Sequence, residues 1–172
     1  EALPPEFRVL GISDYIFLDG YRRLVTEKQQ GRLANIETLL PVIELRVDKF
    51  GGTAGHLSRV NFHAIFSETL GADFIEHHFI NALTNWYQLA PQYQGQVEWK
   101  ALPTKKSLTD LGRKIKLTVP EDQLEKFRDD LTEGFNGFNV PLNSVLDVLR
   151  RPDFKGKSLS AVGKTEWADI KW

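Results

Sequence analysis

The chain has 172 residues, of which 41% are hydrophobic and 26% charged, and these values fit one globular domain with a sizeable core. Its net charge of −1 gives no overall attraction to nucleic acid, and the lack of cysteine excludes disulfides and thiolate metal sites. No apolar run approaches the length of a membrane span and no signal-peptide pattern opens the chain, so we expect a cytoplasmic protein without membrane contact.

Predicted strands and helices alternate along the chain. The first half predicts a strand over 7–13, a helix over 21–30, a short helix over 33–40 that stops before Pro41, and two strands within 41–66. The second half predicts helices over 71–90, 111–117, 120–135 and 141–151, with strands at 96–102 and 157–164. The helix 111–117 follows a predicted capping box, "SLTD". The segment 120–135 has the strongest helical pattern, because Pro120 and acidic residues precede an apolar stripe. Alternation of this kind indicates an α/β fold.

The segment "PVIELRVDKFGGTAGHLSRVNFHAIF", residues 41–66, predicts a β-hairpin with polar residues on one face. A turn centred near residues 53 and 54 places Glu44 opposite His63, Arg46 opposite Asn61, and Asp48 opposite Arg59. Opposed residues have Cβ atoms about 4.5–5.5 Å apart, so the carboxylate and the imidazole can share one cation. The alternative is a solvent-exposed pair that forms only a mutual hydrogen bond, because metal sites need more than two ligands.

Three segments in order resemble motifs of the PHP (polymerase and histidinol phosphatase) domain. "LGISDYIFLDGYRRL" (10–24) is similar to its "ITDHDT..G" motif, "VIELRV" to the strand that carries a metal-binding glutamate, and "VNFHAIF" to the next strand, which carries a histidine. Together with "GKTEWADIKW" near the end, the chain is similar in particular to the PHP domains of TrlF-like, ATPase-linked proteins.

The resemblance implies a partial, distorted (β/α)7 barrel, formed by one PHP-like domain over 1–172. It implies divalent ions (Zn, Mn or Fe) held by Glu44 and His63, with Asp14 as a further ligand or a neighbour of the ligands. The chain departs from the family at Tyr15, where the family has histidine, and it lacks the first His-x-His and the late Asp-x-His motifs. Because the chain starts at Glu1 and contains no methionine, we expect a fragment, truncated or incompletely given at both ends, with an incomplete metal site.

Two functions follow from this resemblance. The first is a phosphoesterase or nuclease that acts on nucleic acid or nucleotides through metal-activated water, with Arg46 and Arg59 binding phosphate oxygens. The arginines have an alternative role as ion-pair partners of Asp48 and Glu44. The second function is a scaffold or regulator with a decayed site, which binds an ATPase domain or the rest of the polypeptide.

The other polar residues of the chain are weaker candidates for a functional site. His77 and His78 are adjacent on a predicted helix and point apart, so we expect one buried and one solvated. His56 lies in the hairpin loop, where it can reach the mouth of the site. "GKTEW" lacks the glycine-rich loop of a nucleotide-binding P-loop. A basic set is expected to form a solvated face rather than a nucleic-acid track; its members are Lys100, Lys105, Lys106, Arg113, Lys114 and Lys116.

Overall fold

The computed structural model describes residues 3–53, 55–83, 87–88, 98–99 and 103–162. The strands are β1 (Val9–Tyr15), β2 (Thr38–Thr53), β3 (His56–Phe66), β4 (Tyr87–Gln88), β5 (Glu98–Trp99) and β6 (Ser158–Val162). The helices are α1 (Asp19–Gln29), α2 (Ala72–His78), α3 (Lys105–Lys116), α4 (Asp130–Gly137) and α5 (Leu142–Leu149), with 3-10 segments at Glu68–Leu70, Ile80–Leu83 and Glu121–Lys126. This mixture confirms the predicted α/β class. No helix among these is long and apolar enough to cross a bilayer.

The main sheet is open and has the strand order β1-β2-β3-β6. β1 and β2 are parallel and joined through α1, whereas β3 is antiparallel to both β2 and β6. β4 and β5 form a separate two-stranded sheet. The predicted partial (β/α)7 barrel is therefore wrong. A barrel of that type needs successive parallel strands linked by crossovers and a last strand paired with the first, but in the described chain only β1 and β2 are parallel and β6 does not pair with β1.

The hydrophobic core covers one face of this sheet. Ile43 and Leu45 on β2 oppose Ala64 and Phe62 on β3, and all four side chains are at most 4% exposed. The rings of Phe66, Phe79 and Phe154 meet over the same face, since Phe66 lies 4.9 Å from Phe79 and 5.6 Å from Phe154 between ring centroids. Because strand side chains alternate, this buried face leaves the intervening residues, Glu44 and His63 among them, on the opposite face.

Two helix predictions are wrong in detail. Residues 38–40 of the helix predicted over 33–40 begin β2, because a run of apolar residues there pairs with β1. The helix predicted over 120–135 divides at Phe127, which has extended backbone angles (φ −96°, ψ 145°). The second part starts as a new helix, α4, because the Asp129 carboxylate accepts a hydrogen bond from the Thr132 amide at 3.0 Å.

Other helix boundaries also shift. The helix predicted over 71–90 ends at His78 and gives way to a 3-10 segment, while its last residues lie largely outside the described chain. The capping box of α3 consists of Thr104 and Ser107, so that this helix starts earlier than "SLTD" predicted. The helix predicted over 141–151 is confirmed as α5, and the strand predicted over 157–164 as β6.

Helices α3 and α4 pack in direct backbone contact through two buried glycines. A Cβ atom on Gly112 of α3 would overlap the carbonyl oxygen of Asp130, and one on Gly134 of α4 would overlap that of Leu108. The pair lies beside the end of β1, where the Phe135 ring of α4 contacts the rings of Tyr15 and Phe17 at 5.4 and 5.8 Å. The link from α4 to α5 adds a single parallel bridge, between Val140 and Val47 of β2.

Candidate functional site

Glu44 and His63 face each other across the β2–β3 ladder, as predicted. The distance from Oε2 of Glu44 to Nε2 of His63 is 3.6 Å, and both side chains are partly exposed, at 29% and 27%. Two such ligands of one tetrahedral zinc ion lie about 3.4 Å apart, given metal–ligand bonds of about 2.1 Å. The separation in this structure therefore fits two ligands of one cation and is too long for a hydrogen bond.

The predicted register continues to Arg46 opposite Asn61 and then changes. Phe50, and not Asp48, opposes Arg59, because β2 contains three residues where β3 has one. The backbone there bonds elsewhere: the Val140 amide donates to the Arg46 carbonyl at 3.2 Å, and the Asp48 amide donates to the Val140 carbonyl at 3.1 Å. The Asp48 carboxylate accepts from the Leu142 amide at 2.9 Å. The predicted pairing of Asp48 with Arg59 is wrong for this reason.

Asp14 lies on the opposite face of the sheet from Glu44. It is in register with the core residue Ile43, and its Oδ2 accepts a hydrogen bond from the backbone amide of Tyr21 at 3.0 Å, in the first turn of α1. The structure therefore does not bring Asp14 to Glu44 and His63. Within the described ranges, no three acidic, histidine or cysteine side chains gather as they would around a metal ion.

Tyr15 is in register with Glu44 and stands beside the pair. Its hydroxyl donates to the Phe135 carbonyl at 3.2 Å, and its ring makes an edge contact with the Phe135 ring. Burial raises the pKa of the Tyr15 phenol to about 12; Arg46 opposes this rise and Glu44 adds to it. The hydroxyl hydrogen bond and the ring contact attach α4 to the sheet.

Arg46 and Arg59 lie on the same face as the Glu44–His63 pair, and both contact Asn136. An Arg46 nitrogen donates to Oδ1 of Asn136 at 3.3 Å, and an Arg59 nitrogen donates to the Asn136 carbonyl at 3.4 Å. The Arg46 guanidinium also lies 6.0 Å from the centroid of the Tyr15 ring. In the part of the chain that the structure describes, neither arginine forms an ion pair, so the alternative pairing with Asp48 and Glu44 is not formed.

Sequence reasoning missed Asn136. The apolar stripe of its helix includes Phe135, but nothing in that pattern places the helix end beside the hairpin. The adjacent residues Asn136 and Gly137 do mark a helix end, since asparagine and glycine are common there. That signal locates the end of α4 without indicating its neighbours.

The remaining candidates lie away from this face or outside the description. His77 and His78 are both exposed, which corrects the expectation that one is buried, and the His78 ring stacks on Phe74 at 4.1 Å. His56 pairs with Thr53 at the turn, and its side chain lies outside the described residues, as do Lys100 and "GKTEW".

The basic set has acidic partners at four of its members. The ion pairs join Lys105 with Asp19, Lys106 with Asp110, Arg113 with both Asp110 and Asp130, and Lys116 with Asp130. These pairs, on side chains that are mostly exposed, fit the expected solvated face. They leave the outer face of the β2–β3 hairpin as the candidate site.

No family model matches the chain, and neither the curated proteins nor the solved structures contain a significant match. The similarity to PHP domains thus stays a prediction from motifs in a few segments. The geometry on the outer face of the hairpin is what supports a function.

Proposed function

We propose that the chain carries the site of a metal-dependent phosphoesterase on the outer face of the β2–β3 hairpin. The observation that supports this function is the opposed Glu44–His63 pair, which lies beside two arginines that have no acidic partner in the described chain. A carboxylate with an imidazole suits Zn²⁺, Mn²⁺ or Fe²⁺. When bound, such an ion supplies an acidified water and neutralises phosphate charge.

Residues of the chain bind the ion and the phosphate group. Glu44 and His63 hold the ion from two adjacent strands, which fixes their spacing through the ladder rather than through a loop. Arg46 and Arg59 bind phosphate oxygens, because a guanidinium offers donors in the planar arrangement that phosphate accepts. The substrate class is a phosphoester of nucleic acid or a nucleotide. In this proposal the protein acts in the cytoplasm, alongside a linked ATPase domain or the rest of its polypeptide.

The role of Glu44 and His63 as metal ligands is tested by metal binding to the whole chain. Titration calorimetry with Mn²⁺ and Zn²⁺ is expected to show binding that falls by about 100-fold or more in Glu44→Gln and in His63→Gln, since even outer partners of metal ligands contribute about 10–100-fold. Glu37→Gln and His77→Gln are matched controls, because both side chains are exposed and lie outside the β2–β3 ladder, before β2 and in α2 respectively. Equal affinity in Glu44→Gln and Glu37→Gln would refute the assignment.

The phosphoesterase activity is tested by an oligonucleotide cleavage assay. Wild-type protein with Mn²⁺ is expected to cleave a labelled single-stranded oligonucleotide, and Glu44→Gln, His63→Gln and Arg46→Met are expected to abolish cleavage. Cleavage that survives both ligand substitutions would place the activity elsewhere in the chain.

A second function, a scaffold or regulatory interaction module with a decayed site and no hydrolysis, is favoured by Asp14 and Tyr15. Asp14 is engaged at the start of α1 and Tyr15 at the end of α4, so the two residues that correspond to the family's second motif have structural roles. This function predicts oligonucleotide binding that depends on Arg46 and Arg59 and is indifferent to chelators and to Glu44→Gln. The metal titration therefore separates the two functions.

A further inference from the structure

Asn136 is the point at which both site arginines converge. Arg46 comes from β2 and Arg59 from β3, yet each donates a hydrogen bond to this one residue of α4. The two acceptors differ in kind: Arg46 contacts the side-chain oxygen, whereas Arg59 contacts the backbone carbonyl. A change of the side chain therefore removes one contact and leaves the other.

Asn136 is held in place by its neighbours. The Tyr15 hydroxyl binds the carbonyl of the preceding residue, Phe135, and the Phe135 ring is in contact with Tyr15 and Phe17. The buried glycine contacts between α3 and α4 fix the helix that carries it. Asn136 itself is exposed, so it does not contribute to the core.

We propose that Asn136 is a positioning residue that holds Arg46 and Arg59 as a clamp for a phosphate group. The inference rests on the phosphate-binding role of the arginines in the proposed function. Each guanidinium has five N–H donors, and the contact with Asn136 uses one of them, so the others remain for a phosphate. The amide oxygen of asparagine orients a guanidinium without cancelling its charge, which a carboxylate in its place would do.

The test is the affinity for inorganic phosphate, measured on the whole chain without added metal by NMR titration. Asn136→Ala is expected to raise the Kd about five-fold, the effect of one ordinary hydrogen bond, because the contact with Arg46 is long at 3.3 Å. Asn136→Asp is expected to raise it about 20-fold or more, because the new carboxylate pairs with the guanidiniums. Asn143→Ala and Asn143→Asp make the same changes at an exposed position of α5 and are expected to leave the Kd unchanged.

A double-mutant cycle separates positioning from a general effect on folding. Asn136→Ala is expected to have no further effect in an Arg46→Met background and its full effect in an Arg59→Met background, because only Arg46 contacts the Asn136 side chain. Melting temperatures of all variants are recorded alongside, and they are expected to stay close to that of the wild type.

Three results would overturn the inference: a wild-type chain that does not bind phosphate, an Asn136→Asp variant that binds as the wild type does, or equal effects of Asn136→Ala in both arginine backgrounds. The outcome is independent of hydrolysis, since no metal is present. Failure of the metal or cleavage experiments therefore leaves this clamp standing, and loss of the clamp leaves the metal titration unaffected.

Discussion

Replacement of Gly134 by alanine is expected to destabilise the protein, although alanine favours a helix. Gly134 lies inside α4 and is buried against α3, where an added Cβ atom would overlap the carbonyl oxygen of Leu108. That oxygen belongs to the helical backbone and has no freedom to rotate away. The two helices must therefore move apart to admit one methyl group.

The magnitude follows from two opposing contributions. Alanine in place of glycine stabilises a helix by about 1 kcal/mol. Overpacking in a tight contact costs about 1–3 kcal/mol and sometimes more, and overlap with backbone places this site at the upper end. We expect a net loss of about 2 kcal/mol in the free energy of unfolding. Gly137→Ala is the matched control in the same helix, because its Cβ would meet only the flexible end of the Ile115 side chain.

Urea unfolding, followed by circular dichroism, measures both variants. With an m-value of about 2 kcal/mol/M, Gly134→Ala is expected to lower the midpoint by about 1 M. Gly137→Ala is expected to stay within about 0.5 M of the wild type. A Gly134→Ala midpoint at or above that of Gly137→Ala would mean that α3 and α4 do not approach as closely as described.

Three further predictions concern Asp14, Tyr15 and Phe154. Asp14→Ala is expected to cost about 0.5–2 kcal/mol of stability through loss of the hydrogen bond from the Tyr21 amide, with exposed Asp153→Ala as control; equal urea midpoints would contradict this role. Because the Tyr15 pKa is raised to about 12 from an unfolded value near 10, its contribution to stability is complete below pH 10 and is lost as the pH rises through 12. Ultraviolet titration is expected to show this late ionisation in the wild type and not in Tyr15→Phe; identical curves would count against it. Phe154→Ala, at a fully buried ring, is expected to cost about 3–5 kcal/mol in urea unfolding, and a loss below about 1 kcal/mol would refute its place in the core.

The register of the hairpin could be predicted where alternation alone decides it. The apolar residues of β2 and β3 fix which face is buried. The turn lies one residue later than predicted, since Thr53 pairs with His56, and Glu44 comes to lie opposite His63 only because β2 has two additional residues between Arg46 and Phe50. The prediction failed beyond Arg46 because a third segment, at Val140, takes the backbone hydrogen bonds of β2 there. A segment so distant in sequence leaves no trace in the local pattern.

Helix existence was easier to predict than helix continuity. The apolar stripe over 120–135 crosses a break at Phe127, and its two halves differ: Leu124 in the first half is exposed, whereas Leu131 and Phe135 in α4 pack against the core. The capping side chain of Asp129 marks the restart, but its neighbour Asp130 offers the same chemistry one position later. For the site, face alternation predicted the grouping of Arg46 and Arg59 with the pair, whereas the approach of Asn136 depends on helix packing that no local pattern encodes.

The two additional residues in β2 have a consequence for mobility. The strand that carries Glu44 also holds the link after α4 through Val140, so backbone hydrogen bonds join the sheet to its helical cover at this irregularity. Deletion of two residues between Arg46 and Phe50 would give an uninterrupted ladder and keep Glu44 opposite His63. It would also remove the hydrogen bonds of Val140, and the helical cover, then attached to the sheet through side chains such as Tyr15, would move more freely.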